Sequence, residues 1–260
     1  MSPPPANSPA PVPASGAQAR PRRAGRRVLA AMLLTLAVLL TAAALLWRAA
    51  TSLPAWWAPP DASSEEVQRI GRAVEDGLTS LLTQPRSTDA PRWAMTLKQA
   101  DAQAWLATRL QAWWLHRTDA GRWPKTVRAV QVHFRPGEVE LCVALSGAAV
   151  ESVSLLLSPR VDEAGRLWLP AVGARVGRLP LPLSAVLGSD GTLRGPLAGL
   201  LGVASAQPPE VASALASLGG AEPVAAPASM LLPDGRRVTL EGVQVLDGRL
   251  DLTLRTGEPE

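Results

Sequence analysis

Residues 127–145 read VRAVQVHFRPGEVELCVAL, and their rhythm decides the fold class. Val130, Val132 and Phe134 alternate with Gln131, His133 and Arg135, and Pro136-Gly137 follows. Val139, Leu141, Val143 and Leu145 then alternate with Glu138, Glu140, Cys142 and Ala144. Successive side chains of a strand point to opposite faces, so this pattern predicts an antiparallel hairpin with one apolar face inward. Proline presets φ for the first turn position, and glycine takes the positive φ of a type II turn at the second.

Working towards the C-terminus, Val153, Leu155 and Leu157 predict a third strand. The turn Asp162-Glu163-Ala164-Gly165 leads to a fourth around Leu167-Trp168-Leu169, which residues 172–176 continue. In 177–183, GRLPLPL, two prolines one residue apart cannot both serve an inner strand. Pro182 opens a short helix through Leu187. Residues 188–227 are rich in Ala, Gly and Leu, with short helices expected over 193–203 and 209–218, and read as a movable flap. Residues 238–254 close the chain with a hairpin turning at Asp247-Gly248, and Gly242 shifts its alternation as a bulge would.

Working towards the N-terminus, Thr96 and Gln99 have capping-box spacing before a helix from Leu97 to about Trp114, with Ala102, Leu106, Leu110 and Trp113 on one face. An earlier helix opens with the same spacing at Ser63 and Glu66. Val67, Ile70, Val74, Leu78 and Leu81 form its buried face, and Gln84-Pro85 ends it. The fold class is therefore α+β: an N-terminal transmembrane helix, then two helices packed on a curved antiparallel sheet.

The transmembrane element is 28–47, VLAAMLLTLAVLLTAAALLW, with no charge, glycine or proline. About twenty apolar residues at ~1.5 Å rise span a bilayer's hydrocarbon. Arg20, Arg22, Arg23, Arg26 and Arg27 precede it, which by the positive-inside rule places the N-terminus in the cytoplasm and the larger part outside. A cleaved signal peptide is the rival reading, with Ala42-Ala43-Ala44 as the small-residue site. The apolar run continues through Leu45, Leu46 and Trp47, which favours an uncleaved anchor in the inner membrane. The expected domains are a Pro-rich basic tail (1–27), the span (28–47), a Trp/Pro-rich linker (48–63) and an extracytoplasmic domain (64–260). Trp47, Trp56 and Trp57 are expected at the membrane interface.

The net charge of +4 is concentrated in those five arginines, and the remainder is near −1. That distribution excludes nucleic acid as a partner. One cysteine, Cys142, permits no intrachain disulfide. His116, His133 and Cys142 form no metal-site spacing, and Gly188-Ser189-Asp190-Gly191 lacks the nucleophile-elbow form. Asp101, Asp119, Glu138 and Glu140 read as solvated carboxylates. The sequence points to no cofactor, no metal and no catalytic residue.

The order of anchor, helix, TLKQADAQAWLATRL, hairpins, 176–182 (VGRLPLP) and VTLEGVQVLDGRLDLTL resembles the YpmS-like bacterial single-span envelope proteins of unknown function over about residues 64–256. More loosely it is similar to tubular lipid-binding domains, in which a curved sheet wraps long helices. The V-G-x-L-P-L-P element carries most of the likeness. Where that family has Asn in E-L-N-x-Y-L, this chain has Gln103, with Trp105 at the aromatic position. The resemblance implies an extracytoplasmic domain that holds an acyl chain and no catalytic residues.

The expected function is therefore non-enzymatic: a membrane-anchored domain binding lipid or another amphiphile in an apolar groove. Leu106, Leu110, Trp113, Val139, Leu141, Val143, Leu179, Leu181 and Leu183 would line that groove or the adjoining core. The partners would be membrane lipids. A scaffold for another envelope protein is the alternative, and a hydrolase is the third reading.

Overall fold

The structure is a computed structural model and describes residues 22–84, 91–117, 123–147, 150–185 and 216–257. The tail 1–19, the 188–191 turn, Asp119, the 193–203 helix and most of the flap lie outside the described residues. The chain divides into two units, Met1–Leu45 and Leu46–Glu260.

Helix α1 (Arg22–Ala50) contains a 20-residue apolar stretch, Ala31–Ala50, long and apolar enough to cross a membrane. None of that stretch is buried in protein. Its two threonines leave no hydroxyl unpaired: Thr35 donates to the Ala31 carbonyl at 2.9 Å and Thr41 to Ala37 at 2.8 Å. An apolar helix at this position fits a membrane anchor or a signal sequence.

The second unit is α+β. Helix α2 (Glu65–Thr83) leads to strand β1 (Arg92–Lys98), which runs directly into α3 (Gln99–Thr108) and α4 (Leu110–Arg117). Strands β2 (Val127–Arg135), β3 (Glu138–Leu145) and β4 (Ser152–Leu157) follow. Next come β5 (Arg160–Val161), β6 (Leu167–Trp168), β7 (Ala171–Val176), β8 (Leu179–Leu181) and a 3-10 turn, Leu183–Ala185. Strands β9 (Ser229–Leu231), β10 (Arg237–Leu246) and β11 (Arg249–Thr256) close the fold. The strands form a five-stranded sheet in the order β2-β3-β4-β7-β8 and a four-stranded sheet β1-β11-β10-β9, both antiparallel, with β5-β6 a separate ribbon.

Both expected hairpins are present. Gly137 (φ +78) and Gly248 (φ +70) occupy the turns, and the register shifts between Leu240 and Gly242 as the sequence predicts. The two turns join the sheets: Gly137 N–H donates to the Val245 carbonyl at 2.9 Å, and Gly248 N–H to Phe134 at 3.2 Å. Pro180 sits on β8, an edge strand, where a missing N–H costs least.

Several local expectations are corrected. Thr96 and Leu97 belong to β1, so the second helix starts at Gln99 and breaks at Arg109. Its apparent capping pair is used elsewhere: Thr96 Oγ1 donates to Asp251 Oδ1 at 2.7 Å, and Gln99 bonds β2. Ser64 rather than Ser63 caps α2, without a side-chain bond, because the Ser63 hydroxyl turns to Asp61. Residues 167–168 pair with β5, and 171–176 return separately to lie beside β4.

The polar side of β3 is also not solvated. Glu140 and Cys142 are 0% exposed, and Gln131 opposite Cys142 is 1% exposed. Glu140 is held by Arg135 at 2.7 Å and Arg175 at 3.4 Å. The apolar faces of both sheets turn towards α2 and α3, which cross closely at Gly71. A Cβ there would lie 3.2 Å from the Ala104 carbonyl and would collide with Thr108 Oγ1.

Candidate functional site

Helix α2 carries the apolar face that the sequence predicts, but that face is not sealed. Val67, Ile70, Val74 and Leu78 are half-buried and Leu81 is exposed; Gly71 alone in the helix is buried. What faces them is a cleft of about 490 Å³. Val74 and Leu78 form one wall, Leu97, Ala102, Trp105 and Leu106 the next. Val132, Phe134, Val139 and Leu157 supply the five-stranded sheet's side, and Leu240, Val243, Leu250 and Leu252 the four-stranded sheet's. Pro159, Leu167 and Leu169, around the β5-β6 ribbon, complete it.

Every one of these side chains is apolar. Only Ala102, Val132, Phe134 and Leu157 are fully buried, whereas a filled core would bury the rest. The cleft continues past Val74, Leu78 and Leu97 into a second hollow of about 330 Å³, where Thr96 and Asp101 introduce polarity. Ligand sites typically run ~300–1,000 Å³ and are mostly apolar. This volume falls inside that range.

Three devices hold the walls. Gln99 and Gln103, one turn apart on α3, cover the free edge of β2. Gln99 Oε1 accepts the Phe134 N–H at 2.9 Å, and Gln103 Nε2 donates to the Val132 carbonyl at 3.1 Å. The Gln99 and Gln103 side chains are thus spent on pairing an exposed strand edge. Asp162 knots the ribbon, its carboxylate accepting bonds from the Arg166 N–H and guanidinium and from Trp168 Nε1. Those bonds, the Arg166 N–H first, hold its pKa down to about 2. Trp105 meets Trp113 edge-on with ring centroids 6.3 Å apart, which sets the Trp105 ring against the cleft.

Of the nine expected groove residues, Leu106 and Val139 line the cleft. Leu141 packs behind it with Val132 and Phe134. Val143, Leu181 and Leu183 belong to a separate cluster around Leu145, Val153 and Ala174. Leu179 pairs with Val176 on the sheet edge, Leu110 borders a smaller recess of about 150 Å³, and Trp113 is 46% exposed on α4. The walls that the sequence did not assign to a groove include all of those from α2, β1, β2, the β5–β6 ribbon and the β10–β11 hairpin. Their alternation was visible, but nothing local shows that two distant apolar faces meet without filling the space between them.

Of the expected interface tryptophans, Trp47 is 65% exposed, while Trp56 and Trp57 are half-buried in the second unit. Trp56 stacks on His133 with centroids 5.0 Å apart. Burial pushes the His133 pKa below its ordinary 6.5, helped by Arg135 and opposed by Glu140 and Asp247. Gln99 Oε1 already accepts the Phe134 amide, so the 3.0 Å contact to His133 requires the proton on Nδ1.

The folded state therefore prefers neutral His133, and its stability contribution is complete above pH ~6.5 and lost as pH falls through the lowered value. Wild-type thermal midpoints should drop between pH 7 and pH 5 more than those of His133→Gln, followed by circular dichroism. Equal drops would assign the effect elsewhere.

Burial raises the Cys142 pKa, partly offset by the neighbouring Ser154 and Ser152 hydroxyls, so the thiol is a poor nucleophile as it stands. Among the described residues no three His, Cys, Asp or Glu side chains gather as a metal site would require. Set against family models, curated proteins and solved structures, the chain matches none.

Proposed function

We propose that this chain is a membrane-anchored, non-enzymatic protein whose exported domain takes the hydrocarbon part of a lipid or another amphiphile into the cleft. The observation that carries this reading is a volume of about 490 Å³ walled only by apolar side chains, most of them half-exposed. Water gains little from such walls, and an acyl chain entering them sheds apolar surface at roughly 25 cal/mol per Å². The apolar stretch of helix α1, preceded by five arginines, supports an inner-membrane anchor with the N-terminus in the cytoplasm. The resemblance of residues 64–256 to YpmS-like envelope proteins agrees with that placement. A scaffold role draws on β9, a short edge strand whose Met230 and Leu231 are exposed.

Native mass spectrometry of the full chain released from detergent micelles tests the reading. About one retained lipid per chain is expected, displaced by an added fatty acid. Chains that emerge empty, and stay empty with fatty acid present, would remove the lipid reading and leave the scaffold.

A further inference from the structure

Residues 49–62, which lead from the end of α1 to α2, lie across the polar face of the five-stranded sheet. At one side of the sheet the β7–β8 turn grips them. The Arg178 N–H donates to the Ala49 carbonyl at 2.9 Å, and the Arg178 Nε to the Leu53 carbonyl at 3.0 Å. Carbonyls at a helix end have no partner within the helix, so Arg178 serves as a cap from a distant part of the chain. Gly177 makes that approach possible. It sits at φ +58, and a Cβ there would fall within 2.5 Å of both the Ala49 and the Ala50 oxygens. Here the V-G-x-L-P-L-P element finds a physical role. At the other side, Trp56 stacks on His133 of β2, and Pro59, Pro60 and Ala62 line a recess of about 150 Å³ together with Ala129 and Gln131.

What lies on that face is better suited to water than to burial. Gln131, Glu140, Ser152 and Ser154 are each at most 1% exposed. Yet both ends of the Gln131 amide, Glu140 Oε1 and Trp56 Nε1 have no hydrogen-bond partner among the described residues. The Ser152 and Ser154 hydroxyls sit beside the Cys142 thiol without a well-directed bond. Every such atom carries a desolvation cost that contact with water would remove. Among the described residues, the cover is held by two hydrogen bonds from Arg178 and one ring stack. The covered and uncovered states are therefore closer in free energy than the folded and unfolded states of the hydrophobic clusters.

We propose that residues 51–62 are a latch, which lifts from the five-stranded sheet as a unit while the remainder of the domain stays folded. Latched, the segment is held to the Gly177–Arg178 turn through Ala49 and Leu53. Unlatched, twelve residues become a tether with an extended reach of roughly 40 Å, and the polar face of β2, β3 and β4 opens to solvent. The cleft uses the opposite face of that sheet, so the latch stands independently of whether the cleft holds lipid.

Cys142, the sole cysteine and 0% exposed on the covered face, is a ready reporter. In the full chain in detergent micelles, its labelling by a water-soluble thiol reagent is compared with hydrogen exchange of the β10–β11 amides. Labelling should proceed through an opening at least ~10 times more frequent than the one that exposes β10–β11. Trp56→Ala and Gly177→Ala should each accelerate labelling about 10-fold or more with β10–β11 protection unchanged, and Trp56→Phe, which keeps a stacking ring, should stay close to wild type. Labelling no faster than β10–β11 exchange would overturn the latch. So would variants that leave labelling unchanged, or that speed labelling and exchange in parallel.

Discussion

With Val74→Trp and Leu78→Trp combined, the fraction of chains carrying a bound lipid should fall at least ~10-fold in native mass spectra, while the thermal midpoint stays near the wild-type value. Both residues are half-buried on the cleft side of α2, so larger rings there project into open volume and need not overpack a core. Leu78 also borders the second hollow, so the pair would divide the continuous trough at its waist. A tenfold loss corresponds to about 1.4 kcal/mol, or the exclusion of only about 55 Å² of acyl surface at ~25 cal/mol per Å². Unchanged occupancy would show that the ligand sits elsewhere.

Phe134→Ala should cost about 3–5 kcal/mol of unfolding free energy, a large part of the ~5–15 kcal/mol that holds a domain of this kind. Phe134 is 3% exposed and packs with Ala102, Val132 and Val245, where α3 and both sheets meet. Its backbone is bound on both sides, to Gln99 and to Gly248. The surroundings therefore cannot collapse freely into the space left behind. Urea unfolding followed by circular dichroism would measure the loss; a change below about 1 kcal/mol would mean that the junction relaxes and that the cleft walls are pliable.

The hairpins at 127–145 and 238–254 were legible because period-two alternation and a Pro-Gly or Asp-Gly turn are local signals. Strand β1 was not. Its alternation is present in Trp93, Met95 and Leu97, but it enters α3 with no Gly, Pro, Asn or Asp between them, and Thr96 and Gln99 imitate a capping box. Their real partners, Asp251 and Phe134, are remote in sequence. The polar side of β3 was expected in water for a comparable reason, since the chain crossing it comes from residues 49–62. The cleft was half legible: α3 and β3 contributed Leu106 and Val139 to the expectation, whereas α2 and β11 complete the walls only through long-range packing.

The pairing of β1 with β11 sets Trp93 opposite Leu254, on the first and the last of the described strands. On a ribosome, β1 waits for almost the entire domain to be synthesised before its partner exists. The five-stranded sheet, built from residues 127–181, can assemble long before that. Closing so long a loop late makes the four-stranded sheet the slow step of maturation. Until then Trp93, Met95 and Leu97 remain an apolar strand without neighbours, the interval in which the newborn chain is most prone to aggregate.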